Sequence, residues 1–161
     1  MTFNASFSTP RSAAVVEFWR AREQARMSFL RARLFVRPAR LDSFDAVLPL
    51  LLPGRRYLGN QEVSLAQVTG SVGRCADFDR NFHPLKSHLR DRWVRVYLLS
   101  QQAGWAPVRV YKVGEHYFVE DGHHRVSVAH SLGMRSIQAE VWEYQYKSFR
   151  VEAACWCCLP A

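Results

Sequence analysis

VRVYKVGEHYFVEDGHHR (Val108–Arg125), running on into VSVAHSLG (Val126–Gly133), decides how the rest of this chain is read. It spells a strand over Val108–Val113, a tight turn at Gly114-Glu115 and a second strand over His116–Glu120. A helix opening on Gly122 then follows. A strand that delivers a glycine to a helix start leaves backbone N–H groups unpaired at the positive end of the helix dipole. His123, His124 and Arg125 crowd that same point. Free N–H groups and cationic side chains together are the recipe for holding an anion, a phosphate above all. Gly133 sits where a C′ residue ends the helix, and Ile137–Tyr144 follows as a strand with alternating apolar positions.

Working upstream, Arg90–Gln101 carries Trp93, Val94, Tyr97 and Leu98 at helical spacing and stops at Gly104. Asp77–Phe82 predicts a helix start, Gly70–Arg74 a glycine-containing loop, and Gln61–Val68 a strand with Val63, Leu65 and Val68 as its apolar positions. Asp42–Leu52 predicts a short helix stopped by Pro53-Gly54. Thr9-Pro10 reads as an N-cap and first helical residue, opening a helix to about Val36. Two apolar rows run along it: Phe18, Ala25, Phe29, Ala32 and Val36 form one, and Val16, Trp19, Met27, Leu30 and Leu34 the other. With arginines between the rows, this is no single amphipathic stripe. The division expected is a basic helical extension over residues 1–56, a core over 57–146 and a cysteine-bearing tail over 147–161. The core should bury Val63, Val68, Val110, Phe118, Val119, Val126, Val128, Ala129, Leu132, Ile137 and Val141.

Composition bounds the function. The chain has 161 residues, 48% of them apolar, enough for one real core. No apolar run is long enough to span a bilayer, so no membrane partner is expected. Arg11 and Arg20 interrupt any secretory leader. Of the four cysteines, Cys75, Cys155, Cys157 and Cys158, three crowd the last seven residues, which is no disulfide framework. A cytoplasmic home fits that usage. Residues 1–56 hold ten arginines against four acids, a net of +6 out of +8 overall. Such asymmetry fits a nucleic acid or acidic partner through Arg20, Arg22, Arg26 and Arg31, helices that pack on the core or on a second subunit as a homodimer, or a solvated helix face.

At the glycine-led helix, Arg125 can fork onto a phosphate, and Arg74 can approach from the facing loop. His123 and His124 can donate to phosphate oxygens or shuttle a proton. Asp121 beside a phosphate would repel it, unless Mg²⁺ bridges the two or the carboxylate accepts a substrate hydroxyl proton. Asp121-Gly122 can equally be a simple turn and cap, with the histidines exposed on the first helical turn. The tail cysteines, with His116 or His130, lack a paired metal-ligand spacing. Arg90-Asp91-Arg92 beside Trp93 can meet a nucleotide or serve as an exposed helix row.

The order of these elements resembles the ParB N-terminal and sulfiredoxin superfamily over about Glu62–Tyr144. The shared features are a strand entering Gly122-x-x-Arg125, the Leu132-Gly133 stop and the strand at Ile137–Val141. Upstream, Gly73-Arg74 and Phe78-Asp79 resemble the Pro-Arg and Phe-Asp pairs of ParB proteins. The resemblance implies an α+β fold, a small mixed sheet with flanking helices, here with an N-terminal helical extension. It implies a nucleotide ligand (ATP, ADP or CTP) with Mg²⁺. Sulfiredoxins carry their catalytic cysteine after the glycine, where this chain has His123, so that activity is not expected. ParB proteins follow the module with a helix-turn-helix domain, for which residues 147–161 are too few. The spelling DGHHR is similar to the free serine kinases, in which an upstream Glu is the base; the matching region here offers Asp77 and Asp79. Three functions therefore stand open: a nucleotide-dependent switch or regulator with slow NTP hydrolysis, a small-molecule phosphotransferase with Asp121, His123 and Asp79 as catalytic candidates, and a nucleic-acid-binding regulator using the basic arm.

Overall fold

The structure is a computed structural model and describes residues 9–35 and 40–147. The tail cysteines lie outside those residues. A long helix α1 (Pro10–Phe35) leads into a two-residue strand β1 (Asp42–Ser43) and a short helix α2 (Phe44–Val47). Strands β2 (Arg56–Ser64) and β3 (Val68–Ser71), helix α3 (Arg90–Ser100), the hairpin β4 (Val108–Val113) and β5 (His116–Asp121), helix α4 (His123–Ser131) and strand β6 (Ser136–Tyr144) complete the order. The six strands form one mixed sheet in the order β1-β3-β5-β4-β6-β2. β1, β3 and β5 run parallel, as do β4 and β6, while the β4–β5 and β2–β6 pairs are antiparallel. This is the mixed sheet with flanking helices and an N-terminal helix that the sequence predicts.

Alternation assigns the two sheet faces. Val108 and Val110 of β4, Val119 of β5 and Ile137, Ala139 and Val141 of β6 point into one core with Val126, Val128 and Ala129 of α4. Trp93 and Val94 of α3 and then Ala14, Phe18 and Ala21 of α1 continue that core outward. The intervening positions Tyr111, Val113 and Phe118 face the other side, where Phe44 and Leu51 cover them. Period-two alternation thus produces two apolar layers from one hairpin. Within α1, Phe18 meets Trp93 edge-on at 5.7 Å, and Arg22 Nε donates to the Leu85 carbonyl.

Several boundaries differ from expectation. β2 begins at Arg56 and ends at Ser64, a 3₁₀ turn spans Leu65–Gln67, and Gly70 belongs to strand β3 rather than to a loop. A Cβ at Gly70 would lie 2.2 Å from the Phe118 ring, so glycine is what lets β3 lie between its neighbours. Asp42–Leu52 divides into β1, α2 and a 3₁₀ turn at Leu48–Leu50, and β1 joins the sheet beside β3. Asp77–Phe82 is no helix: Asp79 captures the backbone N–H groups of Asn81 (3.0 Å) and His83 (2.7 Å), closing a turn with Phe82 at a φ of 58°. Of the expected core, only Leu132 fails, at 37% exposed, because it is the C-cap of α4 and lies past its buried face.

Candidate functional site

β5 ends at Asp121, the chain turns at Gly122 with φ 97° and ψ 20°, and α4 starts at His123. Both the left-handed backbone and the surroundings demand glycine here. A Cβ on Gly122 would stand 2.5 Å from Val108 Cγ1. With no side chain at the cap, the first N–H groups of α4 have no capping partner. They open on a cleft of about 250 Å³ lined by Arg74, Arg92, Val96 and the run from Glu120 to Arg125.

The two histidines are buried rather than displayed. His123 stacks on Phe78, and its Nε2 lies 2.7 Å from Ser71 Oγ. Because Ser71 Oγ already accepts the Arg74 backbone N–H (3.2 Å), its own proton is available to a neutral imidazole. Burial, reinforced by Arg74 and opposed by Asp121 and Asp77, lowers the His123 pKa to about 4. Burial, Arg92, Arg74 and His123 lower that of His124 to about 4 as well, against an opposing pull from Asp77. Both rings are neutral at pH 7, so each can offer one N–H and one acceptor. His124 is 5% exposed, lines the cleft, and its Nδ1 has no hydrogen-bond partner among the described residues. A buried polar atom left unpaired costs free energy unless something arrives to pair it.

Arg125 is placed at the cleft but is already engaged. Its Nη1 donates to the Ala106 and Pro107 carbonyls (2.6 and 2.9 Å), and its Nη2 donates to Asp121 Oδ2 (2.5 Å). It therefore ties the start of α4 to the segment entering β4. Arg74 pairs loosely with Asp77 at 3.7 Å, and Arg92 makes no ion pair among the described residues. These two are the cations with charge to spare. The spacing of Arg92 and Val96, one turn apart on α3, is the signal in the sequence that both face the cleft. Ser71, between Gly70 and Gly73, carried no such signal.

Other expected site residues lie elsewhere. Asp79 is fully buried and outside the cleft, with Ser28 Oγ donating to it at 2.6 Å and His83 Nδ1 lying 3.1 Å away. Burial would raise its pKa, but the hydrogen bonds from His83 and Ser28 outweigh that and hold it below the usual value. Arg20 and Arg26 pair with Glu17 and Glu23 on α1, Arg22 sits over the Trp19 ring, and Arg31 is exposed. For Mg²⁺, the carboxylates lining the cleft are Glu120 and Asp121. Each is bound by a guanidinium, Glu120 by Arg109 and Asp121 by Arg125. No cluster of three His, Cys, Asp or Glu suited to a metal occurs among the described residues. This donor set does not fit a resident magnesium ion.

No protein-family model matches this chain, and no curated protein does. Among solved structures, sulfiredoxin from Arabidopsis thaliana is similar at 17% identity with a TM-score of 0.42, over 53% of this chain and 86% of that one. Likeness at that level supports no functional inference. Among the described residues, no helix is long and apolar enough to cross a membrane.

Proposed function

We propose that this chain binds the phosphate of a nucleotide in the cleft at the β5–α4 junction and acts as a nucleotide-dependent switch or regulator. The observation that carries the reading is His124, buried at the open end of a helix with an unpaired Nδ1, beside Arg92 and Arg74. A phosphate there would accept the His124 N–H and the uncapped N–H groups of α4, and it would neutralise two arginines. Binding is favoured over phosphoryl transfer because both carboxylates at the cleft are held by arginines, and a transferase needs one free as a base. The setting that goes with a nucleotide ligand is the cytoplasm, and Cys75, a free thiol, suits its reducing conditions.

A thermal-shift panel of ATP, ADP, CTP and GTP, with and without Mg²⁺, tests this. A bound nucleotide at 100 times its Kd should add roughly 2.7 kcal/mol to stability. His124→Ala and Arg92→Ala should each weaken binding about ten-fold or more, in keeping with a lost charge-assisted or buried contact. Asp121→Asn should leave affinity equal or higher, since it removes a repelling charge. If none of the four nucleotides nor inorganic phosphate shifts the melting temperature, the reading fails. If Asp121→Asn abolishes phosphate release while binding persists, the chain is a phosphotransferase or hydrolase instead.

A further inference from the structure

Helix α1 is apolar on two opposite sides, and the described residues cover one of them. Ala14, Phe18, Ala21 and Ala25 are buried. Val16, Trp19, Met27, Leu30 and Leu34 occupy about 80° of arc on the far side of the helix, at 3.6 residues per turn. All five are exposed, Val16 and Leu30 at 56% and Leu34 at 72%. An apolar ridge broken only by Glu23, along a helix of 26 residues, is the surface expected of an element with a second partner.

We infer that the Val16–Leu34 ridge is a homodimer interface, on which α1 of a second copy lies antiparallel. The charge pattern selects that occupant. Glu23 projects from the middle of the ridge and is ion-paired with Arg26 at 3.2 Å, both 62% exposed. A two-fold axis passing near residue 25 brings Val16 to Leu34 of the second copy at both ends. It also sets the two Glu23–Arg26 pairs side by side with opposite charges facing. An isologous contact requires this kind of self-complementarity. A parallel pairing would put Glu23 on Glu23. An anionic bilayer would have to accept the Glu23 carboxylate at the centre of the buried face, which is costly.

Sedimentation velocity on the full chain across the micromolar range tests the assignment. A concentration-dependent monomer–dimer equilibrium is expected. Met27→Glu, which sets a carboxylate beside Glu23 of the second copy, should weaken dimerisation about ten-fold or more through like-charge repulsion. Because Met27 touches solvent, the melting temperature of the dilute protein should stay unchanged. Glu23→Arg should weaken the dimer, and the exchange Glu23→Arg with Arg26→Glu should restore it by recreating the alternating charges. A chain that stays monomeric throughout overturns the inference, whether or not it floats with phosphatidylserine-containing vesicles. So does a dimer indifferent to Met27→Glu.

Discussion

Gly122 answers to two separate demands, a φ of 97° and a Val108 methyl group where a Cβ would stand. Gly122→Ala should therefore cost more than about 2 kcal/mol of stability in urea unfolding, with or without ligand. Adding Val108→Ala removes the 2.5 Å contact but leaves the Val108 Cβ at 2.9 Å and the backbone strain, so recovery should be partial. Glycine here serves the fold as well as any approach by a phosphate. Arg125 is similar. Arg125→Ala should destabilise by about 1.5–3 kcal/mol, the usual scale for charged hydrogen bonds, because the Ala106 and Pro107 carbonyls lose their donor. Arg125→Lys should not rescue it, since an ammonium cannot fork across those acceptors. The DGHHR run announced a strand-to-helix turn from the sequence alone. It could not announce that its arginine was engaged, because the acceptors are backbone carbonyls and every residue type carries one.

Among the elements, the hairpin, α3, α4 and β6 were legible because their periodicities are unbroken. The Asp77–Phe82 segment was not, since an aspartate that caps a helix and one that closes a turn present the same letters. Its carboxylate also reaches Ser28, 51 residues away, which no local pattern encodes. That contact makes Asp79 the clamp between α1 and the turn. Asp79→Ala should cost about 1–3 kcal/mol, the range for buried donors left without an acceptor, because the Asn81 and His83 N–H groups and the Ser28 hydroxyl lose theirs. It should also speed amide exchange at Asn81 and His83, read by hydrogen exchange with mass spectrometry. The two apolar rows of α1 were visible in the sequence, but which row met the core depended on Trp93 and was settled only by the packing of α3.

Across the whole molecule, His123, His124 and His130 share one electrostatic fate. Burial lowers each to about 4 from an ordinary 6.5, helped by Arg74 at His123 and by Arg92 and Arg74 at His124. Between those values the unfolded chain binds protons that the folded chain refuses, so stability falls as pH drops from about 6.5 toward 4. Above pH 6.5 these groups have no effect. Urea midpoints measured from pH 8 to 4.5 should be flat at first and then decline. His130→Phe, retaining the stack on Phe82, should flatten part of the decline.

β2 has a single neighbour in the sheet, β6, and their register runs from Arg56 against Glu143 to Ser64 against Ser136. The first long strand thus waits for the last one, with β3, the hairpin and helices α3 and α4 made in between. Loop closure over so many residues is an entropic cost met before any pairing is gained. Synthesis from the N-terminus therefore leaves β2 without its partner until Tyr144 has left the ribosome, and the sheet becomes complete late and all at once.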